Sequence, residues 1–350
     1  MRTLRFSCLF GALIPGVLCA QGLAGSACVT VHPAEYRTRP EGRQVVQDVS
    51  LSSAVATYTL RYEIVEKEDT PDRVGFSKWA PTLGYTPLGI ASPSAACWYN
   101  QGFFVWTLDD LNIQDYRASF RVLRSSAPDA MVEYTWDTPK AVVSARFALA
   151  PGSDKLLFFG RYEPKEPVKT CTLRLMAYPA TFAKPHVRTM TTAVRTLAGG
   201  TARLDPGQER WLLLEDMAEG RTADGSAGLL LGDVSAFSQV EVSGIGGYAT
   251  YVDIQLAPGR RDFALALYEF PALPDPLQTR RYFQQSADVE CAAVAAMNGT
   301  DLASPLGPLP VPPDRRQAVQ TRDRDALARP AEKWSSQPDS PDFPWARSVP

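Results

Sequence analysis

The feature that most restricts how this chain can fold is a two-residue alternation of apolar and polar side chains, repeated in several short segments. Residues 141–149 and 171–177 show it most clearly, with apolar residues at every second position. A period of two places alternate side chains on opposite faces of a β-strand, whereas a helix needs a period near 3.6. Further strands are predicted at 45–51, 58–64, 103–108, 132–136, 156–162, 228–231, 240–242, 248–256 and 263–270.

Short strands separated by turn signals are typical of all-β proteins. We therefore predict an antiparallel β-sandwich or supersandwich over residues 21–300, in which the stretch at 182–200 is either a sub-boundary between two sandwiches or a long crossover. Pro271, Pro274 and Pro276 are predicted to end the sheet. One helix is predicted after them at 288–297, with Asp288 as its N-cap. Ten prolines lie between Pro305 and Pro350. The segment 301–350 is therefore predicted to be a disordered tail, because it has too little apolar surface to offset the entropy of ordering.

The N-terminus predicts export. Arg2 and Arg5 precede an apolar segment at 6–18, and a cleavage site with small residues follows, ending at Ala20. This is the pattern of a signal peptide over residues 1–20. A later cut after Ala27 is the alternative. The expected location is therefore secreted or periplasmic. No later stretch is apolar for long enough to span a membrane, so no membrane span is expected after signal removal.

Four cysteines remain after cleavage: Cys28, Cys97, Cys171 and Cys291. In an oxidising compartment they are disulfide candidates, with three connectivities that the sequence leaves open. Their wide spacing does not favour a metal site, and neither a metal nor a cofactor is expected. A net charge of -2, from 36 basic and 38 acidic residues, gives no basic excess of the kind that nucleic-acid binding requires.

The segment 97–116 is the richest in large aromatic residues. Here Trp98, Tyr99 and Asn100 precede a predicted central strand, and Trp79 and Tyr85 lie in the long loop before it. Sugar rings stack on indole and phenol rings, so these five residues are the predicted ligand-binding site. The competing interpretation is that Trp98 and Trp106 are core residues.

Catalytic candidates are weaker. Asp109 is a possible carboxylate for glycosidic chemistry, and His186 is a possible base. The preferred interpretation of the adjacent pair Asp109 and Asp110 is that it forms a turn, after which a second strand is predicted to begin near Ile113.

The long run of predicted antiparallel strands resembles, as a pattern, the supersandwich of mutarotase-like and polysaccharide-lyase proteins. The favoured function is a non-catalytic exported module that binds a glycan or another cell-surface protein. The alternative is a carbohydrate-active enzyme of the polysaccharide lyase, glycoside hydrolase or sugar epimerase type, whose cleft lies beside the aromatic segment.

Overall fold

The protein is described here from a computed structural model. The described residues are 26–39, 42–53, 56–66, 88–92, 98, 102–126, 128–177, 188–216, 226–269, 276–297 and 304–306. Within these ranges the chain forms twenty β-strands and one α-helix. The predicted signal peptide at 1–20 lies outside them, as does nearly all of the predicted tail.

The elements, in chain order, are β1 (Cys28–Val31), β2 (Glu35–Arg39), β3 (Gly42–Ser52), β4 (Thr57–Glu66), β5 (Leu88–Ser92), β6 (Phe104–Leu108), β7 (Leu111–Asn112), β8 (Ala118–Arg124), β9 (Ala130–Asp137), β10 (Ala141–Leu149), β11 (Leu156–Pro164), β12 (Cys171–Ala177), β13 (Arg188–Thr192), β14 (Thr196–Leu197), β15 (Gly200–Leu204), β16 (Trp211–Asp216), β17 (Ala227–Leu231), β18 (Phe237–Ile245), β19 (Thr250–Leu256), β20 (Asp262–Glu269) and α1 (Pro276–Ala296). Two short 3-10 turns cover Ile113–Asp115 and Val234–Ala236.

The strands form three antiparallel sheets. The largest has nine strands in the order β14-β13-β16-β17-β20-β11-β10-β9-β8, and the second has six in the order β15-β18-β19-β12-β6-β7. The N-terminal strands β1 to β5 form the third sheet, in which β1 and β2 both pair with β3. Strands from before and after the stretch at 182–200 hydrogen-bond within the same two large sheets.

The inner faces of the two large sheets pack against each other, which is the arrangement of a β-sandwich. Aromatic rings meet across the interface: the centroids of Trp106 on β6 and Phe263 on β20 are 5.1 Å apart, and those of Phe104 and Phe158 are 5.5 Å apart. Side chains from the N-terminal sheet, including Tyr58, belong to the same core. The predicted antiparallel β-sandwich is therefore confirmed.

Helix α1 covers part of the outer face of the nine-stranded sheet. Phe283 of the helix packs against Trp211 and Tyr268, with centroid distances of 5.4 and 5.3 Å. After the helix, Leu306 returns to this same outer core, and its backbone N–H donates to Asp129 Oδ2. The sheet is thus buried on both faces where the helix lies.

Two sequence predictions need correction. The helix begins at Pro276, twelve residues before the predicted N-cap, and ends at Ala296. The strand predicted near Ile113 is instead the two-residue β7, and Ile113 starts a 3-10 turn in which the Asn112 side chain accepts a hydrogen bond from Gln114 N. That side-chain bond satisfies a backbone group locally, which favours a turn over a continued strand.

Candidate functional site

Trp98, at the centre of the predicted binding site, is a core residue. Its side chain is fully buried. The indole N–H donates to the Tyr268 carbonyl oxygen at 2.8 Å, and the backbone N–H donates to Glu269 Oε1 at 3.0 Å. Because neither ring face reaches solvent, Trp98 is not a stacking platform, and the core interpretation is correct for it and for Trp106.

The other predicted binding residues lie outside the described residues. These are Trp79, Tyr85, Tyr99 and Asn100. The catalytic candidate His186 and the disulfide candidate Cys97 also lie outside them. Their roles stay predictions.

Asp109 lies in the turn between β6 and β7, and its side chain stabilises that turn. It adopts a positive φ of 55° between β6 and β7, and its Oδ1 accepts hydrogen bonds from the backbone N–H groups of Lys169 and Thr170 at 2.9 and 2.8 Å. Its Oδ2 lies 2.6 Å from Lys140 Nζ. The hydrogen bond from Lys140 and those from the two amides hold the pKa of Asp109 well below its usual range. A carboxylate engaged in this way suits the turn interpretation better than acid or base catalysis.

Two of the four disulfide candidates are free thiols in this structure. Cys171 and Cys291 are both buried and unpaired. Burial raises the pKa of each to about 12. The Cys171 sulfur accepts the indole N–H of Trp106 at 3.1 Å. The prediction that these two cysteines form disulfides is wrong here, because each thiol is enclosed in a different apolar core.

The structure instead presents a polar surface on the outer face of the nine-stranded sheet, beside helix α1. We call it the outer polar face; its residues lie in two cross-strand rows. One row runs Arg121, Glu133, Arg146, and the other runs Ser119, Thr135, Ser144, Arg161, Asp262.

Strand alternation explains why these side chains share one face. On β10, Val143, Ala145 and Phe147 point into the core and are fully buried, so Ser144 and Arg146 point outward. Registered pairing then aligns outward positions on neighbouring strands, which places Ser144 opposite Arg161. The side chains of the outer polar face are therefore carried on a rigid sheet and not on loops.

Glu133 orders the first row. Its Oε1 accepts from Arg121 Nε at 2.8 Å, and its Oε2 accepts from Arg146 Nε at 2.5 Å. Burial acts to raise the pKa of Glu133, but the hydrogen bonds from Arg146 and Arg121 outweigh it and lower that pKa. One carboxylate shared by two guanidinium groups leaves this row with a net positive charge.

A cleft of about 230 Å³ opens where the outer polar face meets the C-terminal end of α1. Ser144, Arg146 and Arg161 line one side, and Asp233, Arg260 and Asp262 line another, together with Phe159, Gly160, Phe263, Ala264, Ala295, Ala296 and Met297.

Arg260 bridges the two carboxylates of the cleft. Its Nη2 donates to Asp233 Oδ2 and lies 3.6 Å from Asp262 Oδ1. Hydrogen bonds from the Ser235 hydroxyl and amide, together with Arg260, lower the pKa of Asp233. The cleft therefore offers guanidinium donors, carboxylate acceptors and a hydroxyl within one small volume.

Most residues of this cleft were not predicted from the sequence. The alternation that sets Ser144 and Arg146 outward is visible in the sequence. Asp233 and Arg260, however, come from connections between strands and Asp262 from the start of β20, and their positions depend on the order of the strands in the sheet. Among the described residues, no group of three or more His, Cys, Asp or Glu side chains is placed to hold a metal ion. The described part of the chain also contains no helix with the length and apolarity of a membrane span.

The sequence matches no protein-family model, and comparison with curated proteins finds no match. Among solved structures, the chain is similar to a GH36 alpha-galactosidase from Geobacillus stearothermophilus, at 12% identity and TM-score 0.33, over 68% of this chain and 41% of that one. It is also similar to a proposed aldose 1-epimerase from Klebsiella pneumoniae, at 11% identity and TM-score 0.36, over 78% of this chain and 97% of that one.

A third similar structure is a chondroitinase AC lyase, at 10% identity and TM-score 0.35, over 69% of this chain and 37% of that one. The chain spans well under half the length of both the galactosidase and the lyase. At such identities and TM-scores the likeness carries no argument about activity.

Proposed function

We propose that this protein is an exported, non-catalytic β-sandwich that binds a glycan through the outer polar face and its cleft. The observation that carries the proposal is the convergence of Arg146, Arg161, Arg260, Asp262 and Ser144 in a cleft formed largely by strands. Export rests on the predicted signal peptide.

The chemistry of the cleft suits a hydroxylated ligand. Guanidinium groups present several N–H donors in a fixed plane, and carboxylates present acceptor oxygens, so together they match the paired hydroxyl groups of a sugar. Arg161 and Asp262 lie opposite each other on neighbouring strands, with side chains 51% and 56% exposed. Both therefore remain accessible to a ligand. The volume of the cleft, smaller than a typical drug-sized pocket, fits one ring of a longer chain that continues along the sheet.

The electrostatics favour binding over glycosidic hydrolysis. A glycosidase needs one carboxyl group whose pKa is raised, so that it carries a proton to the leaving group. Asp233 and Asp262 share the cleft, but Arg260 contacts both and the pKa of Asp233 is lowered. Asp233 is thus an acceptor of hydrogen bonds and a poor general acid.

A glycan array tests the proposal directly. Wild type is compared with Arg161→Ala and Asp262→Ala, which remove exposed groups of the cleft. Arg174→Ala is the matched control, because Arg174 is 49% exposed and paired with Asp253 on the six-stranded sheet, away from the cleft.

The expected result is a fall in affinity of about tenfold or more for each cleft variant, corresponding to roughly 1.5 kcal/mol for a lost charged hydrogen bond. The control should bind as wild type does. Wild type that binds no arrayed glycan, or equal losses in cleft and control variants, would contradict glycan binding. Release of shortened or epimerised products from a bound oligosaccharide would contradict the non-catalytic part.

A further inference from the structure

A buried group of ionisable side chains lies between the nine-stranded sheet and helix α1. We call Lys155, Glu290, Asp154, Tyr268 and Tyr282 the lysine cluster. The side chains of Lys155 and Glu290 are 0% exposed and that of Asp154 is 5% exposed. Lys155 directly precedes β11 and Glu290 lies on the helix, so the cluster joins two elements that are far apart in sequence.

The lysine amine contacts both carboxyl groups at once. Lys155 Nζ lies 2.9 Å from Asp154 Oδ1 and 2.9 Å from Glu290 Oε1, and it sits over the Tyr268 ring at 4.5 Å from the centroid. The Tyr282 hydroxyl donates to Glu290 Oε1 at 2.6 Å, so it holds that oxygen beside the amine. An amine and a carboxyl carbon are thereby fixed in close approach, without water between them.

Only one of the two carboxyl oxygens of Glu290 has polar contacts among the described residues. Its Oε1 accepts the two bonds just described, whereas its buried Oε2 has no hydrogen-bond partner among the described residues. Burial raises the pKa of Glu290, against the opposing effect of Lys155. The neutral acid is the form in which a carboxyl group reacts with an amine, and burial favours this form of Glu290.

Burial acts to lower the pKa of Lys155, but the electrostatic attraction of Asp154 and Glu290 is stronger, so the pKa of Lys155 is raised. The amine is therefore an ammonium in the resting cluster and must lose a proton before it can act as a nucleophile. Asp154, in direct contact with Nζ, is placed to accept that proton.

We propose that Lys155 and Glu290 condense to form an intramolecular isopeptide bond, with Asp154 as the proton acceptor. Asp154 takes one proton from the ammonium, and the free amine attacks Cδ of the neutral Glu290 carboxyl group. The C–N bond forms and one C–O bond breaks. Of the four protons on the reacting groups, one stays on the amide nitrogen, two leave with the oxygen as water, and the fourth remains on Asp154.

Two physical effects drive the condensation. Groups held in contact react with effective concentrations that reach about 10⁵ to 10⁸ M, which offsets the ordinary unfavourable equilibrium of amide formation in water. The product is also a neutral amide, so the reaction removes a buried ammonium that is expensive to keep out of water. A covalent bond then ties α1 to the start of β11.

Intact-mass measurement of the purified full-length protein, denatured and reduced, tests the proposal. The reference is the mass calculated from the sequence, starting at the N-terminal residue that is observed. We expect the measured mass to be lower than this reference by one water molecule. Fragmentation of a protease digest should then yield one branched peptide joining the segment with Lys155 to the segment with Glu290. An unmodified mass overturns the proposal, as does a water loss that maps to any other residues.

Masses of substituted proteins distinguish an isopeptide bond between Lys155 and Glu290 from a loss of water elsewhere in the chain. Lys155→Met should restore the full mass and abolish the branched peptide, because it removes the nucleophile. Lys165→Met is the matched control: Lys165 is 43% exposed and pairs with Asp137, so the water loss should persist. Asp154→Asn should leave the amine and Glu290 in place but markedly reduce the cross-linked fraction. The wild-type mass alone decides the question if a variant fails to fold.

Discussion

At the scale of single residues, Gly160 is packed so closely that no larger side chain fits without movement of its neighbours. A Cβ atom built there would lie 2.1 Å from Cζ of the Phe263 ring, and that ring packs between Trp106 and Phe158. We expect Gly160→Ala to lower the free energy of unfolding by about 1–3 kcal/mol, because the ring has little room to move. Chemical denaturation measures the change.

Gly199→Ala is the control for that substitution. Its nearest non-neighbouring atom is the Ile245 carbonyl oxygen at 3.8 Å, so the change should stay within about 0.5 kcal/mol. Equal effects of the two substitutions would show that crowding at Phe263 is not what matters.

Asp109 gives a pH-dependent contribution to stability. The pKa of Asp109 is lower in the folded protein than in the unfolded chain. Its ionised carboxylate therefore stabilises the fold fully at pH values above the unfolded pKa of about 4. The stabilisation is lost as the pH falls from there through the folded pKa. Asp109→Asn should therefore be less stable than wild type at pH 7, with a gap that narrows toward pH 3. Asn also tolerates the positive φ of this turn, so the comparison isolates the charge.

Asp110→Asn is the matched variant, because the Asp110 side chain is 97% exposed and 3.6 Å from Lys140. Denaturation curves at several pH values measure both. A gap for Asp109→Asn that is constant from pH 7 to pH 3 would rule out the ionised carboxylate as its source.

Single residues were also where prediction from sequence was weakest. A tryptophan in a core and a tryptophan on a binding surface have the same sequence surroundings, since both flank apolar strands. Trp98 is buried because β20 crosses beside it and supplies the Tyr268 carbonyl oxygen. That neighbour is 170 residues away in the chain, so no local pattern predicts it.

At the scale of elements, α1 packs on the sheet through several buried side chains, among which Phe283 is the largest apolar one. Phe283 is fully buried against Trp211 and Tyr268, so Phe283→Ala should lower the free energy of unfolding by about 3–5 kcal/mol. Val289 on the same helix is 61% exposed, and Val289→Ala should change stability by less than about 0.5 kcal/mol. Thermal or chemical unfolding compares the two; similar losses would mean that the helix does not depend on this contact.

Strands that alternate cleanly were predictable, and so were some continuous apolar runs such as β17. β10 and β12 bury every second side chain, which is the pattern that a sequence displays. The sequence did not predict β1, β2, β5, β8 and β13 to β16. Of these, β1, β2, β5, β8, β14 and β15 are edge strands, and β16 has buried side chains on both faces from Trp211 to Glu215, so it does not alternate. The first half of α1 was missed because Pro276 was interpreted as a strand terminator, although proline is also favoured in the first turn of a helix.

At the scale of the whole molecule, the cysteines give a simple count. Cys171 and Cys291 are the free thiols of the described residues, and Cys28 is not among them. We therefore predict that Cys28 pairs with Cys97, the other cysteine left after removal of the signal peptide. Thiol titration of the mature protein in denaturant, without reductant, should find two thiols.

In the native state neither thiol should react with a small alkylating reagent, because both are buried and both have a pKa of about 12. Four titratable thiols in denaturant would contradict the predicted disulfide. Rapid labelling of the native protein would contradict the burial.

The position of β20 in the nine-stranded sheet has a consequence for the time course of folding. This strand, the last among the described residues, lies between β17 and β11. It therefore joins the strands of this sheet within 188–231 to those within 118–164. Until residue 269 is available, the two groups of strands remain separate half-sheets, each with an unpaired edge. Pairing across such sequence distances is slow, because the entropy of closing long loops is lost before the contacts form. The sandwich therefore closes late, after nearly all of its strands have been synthesised.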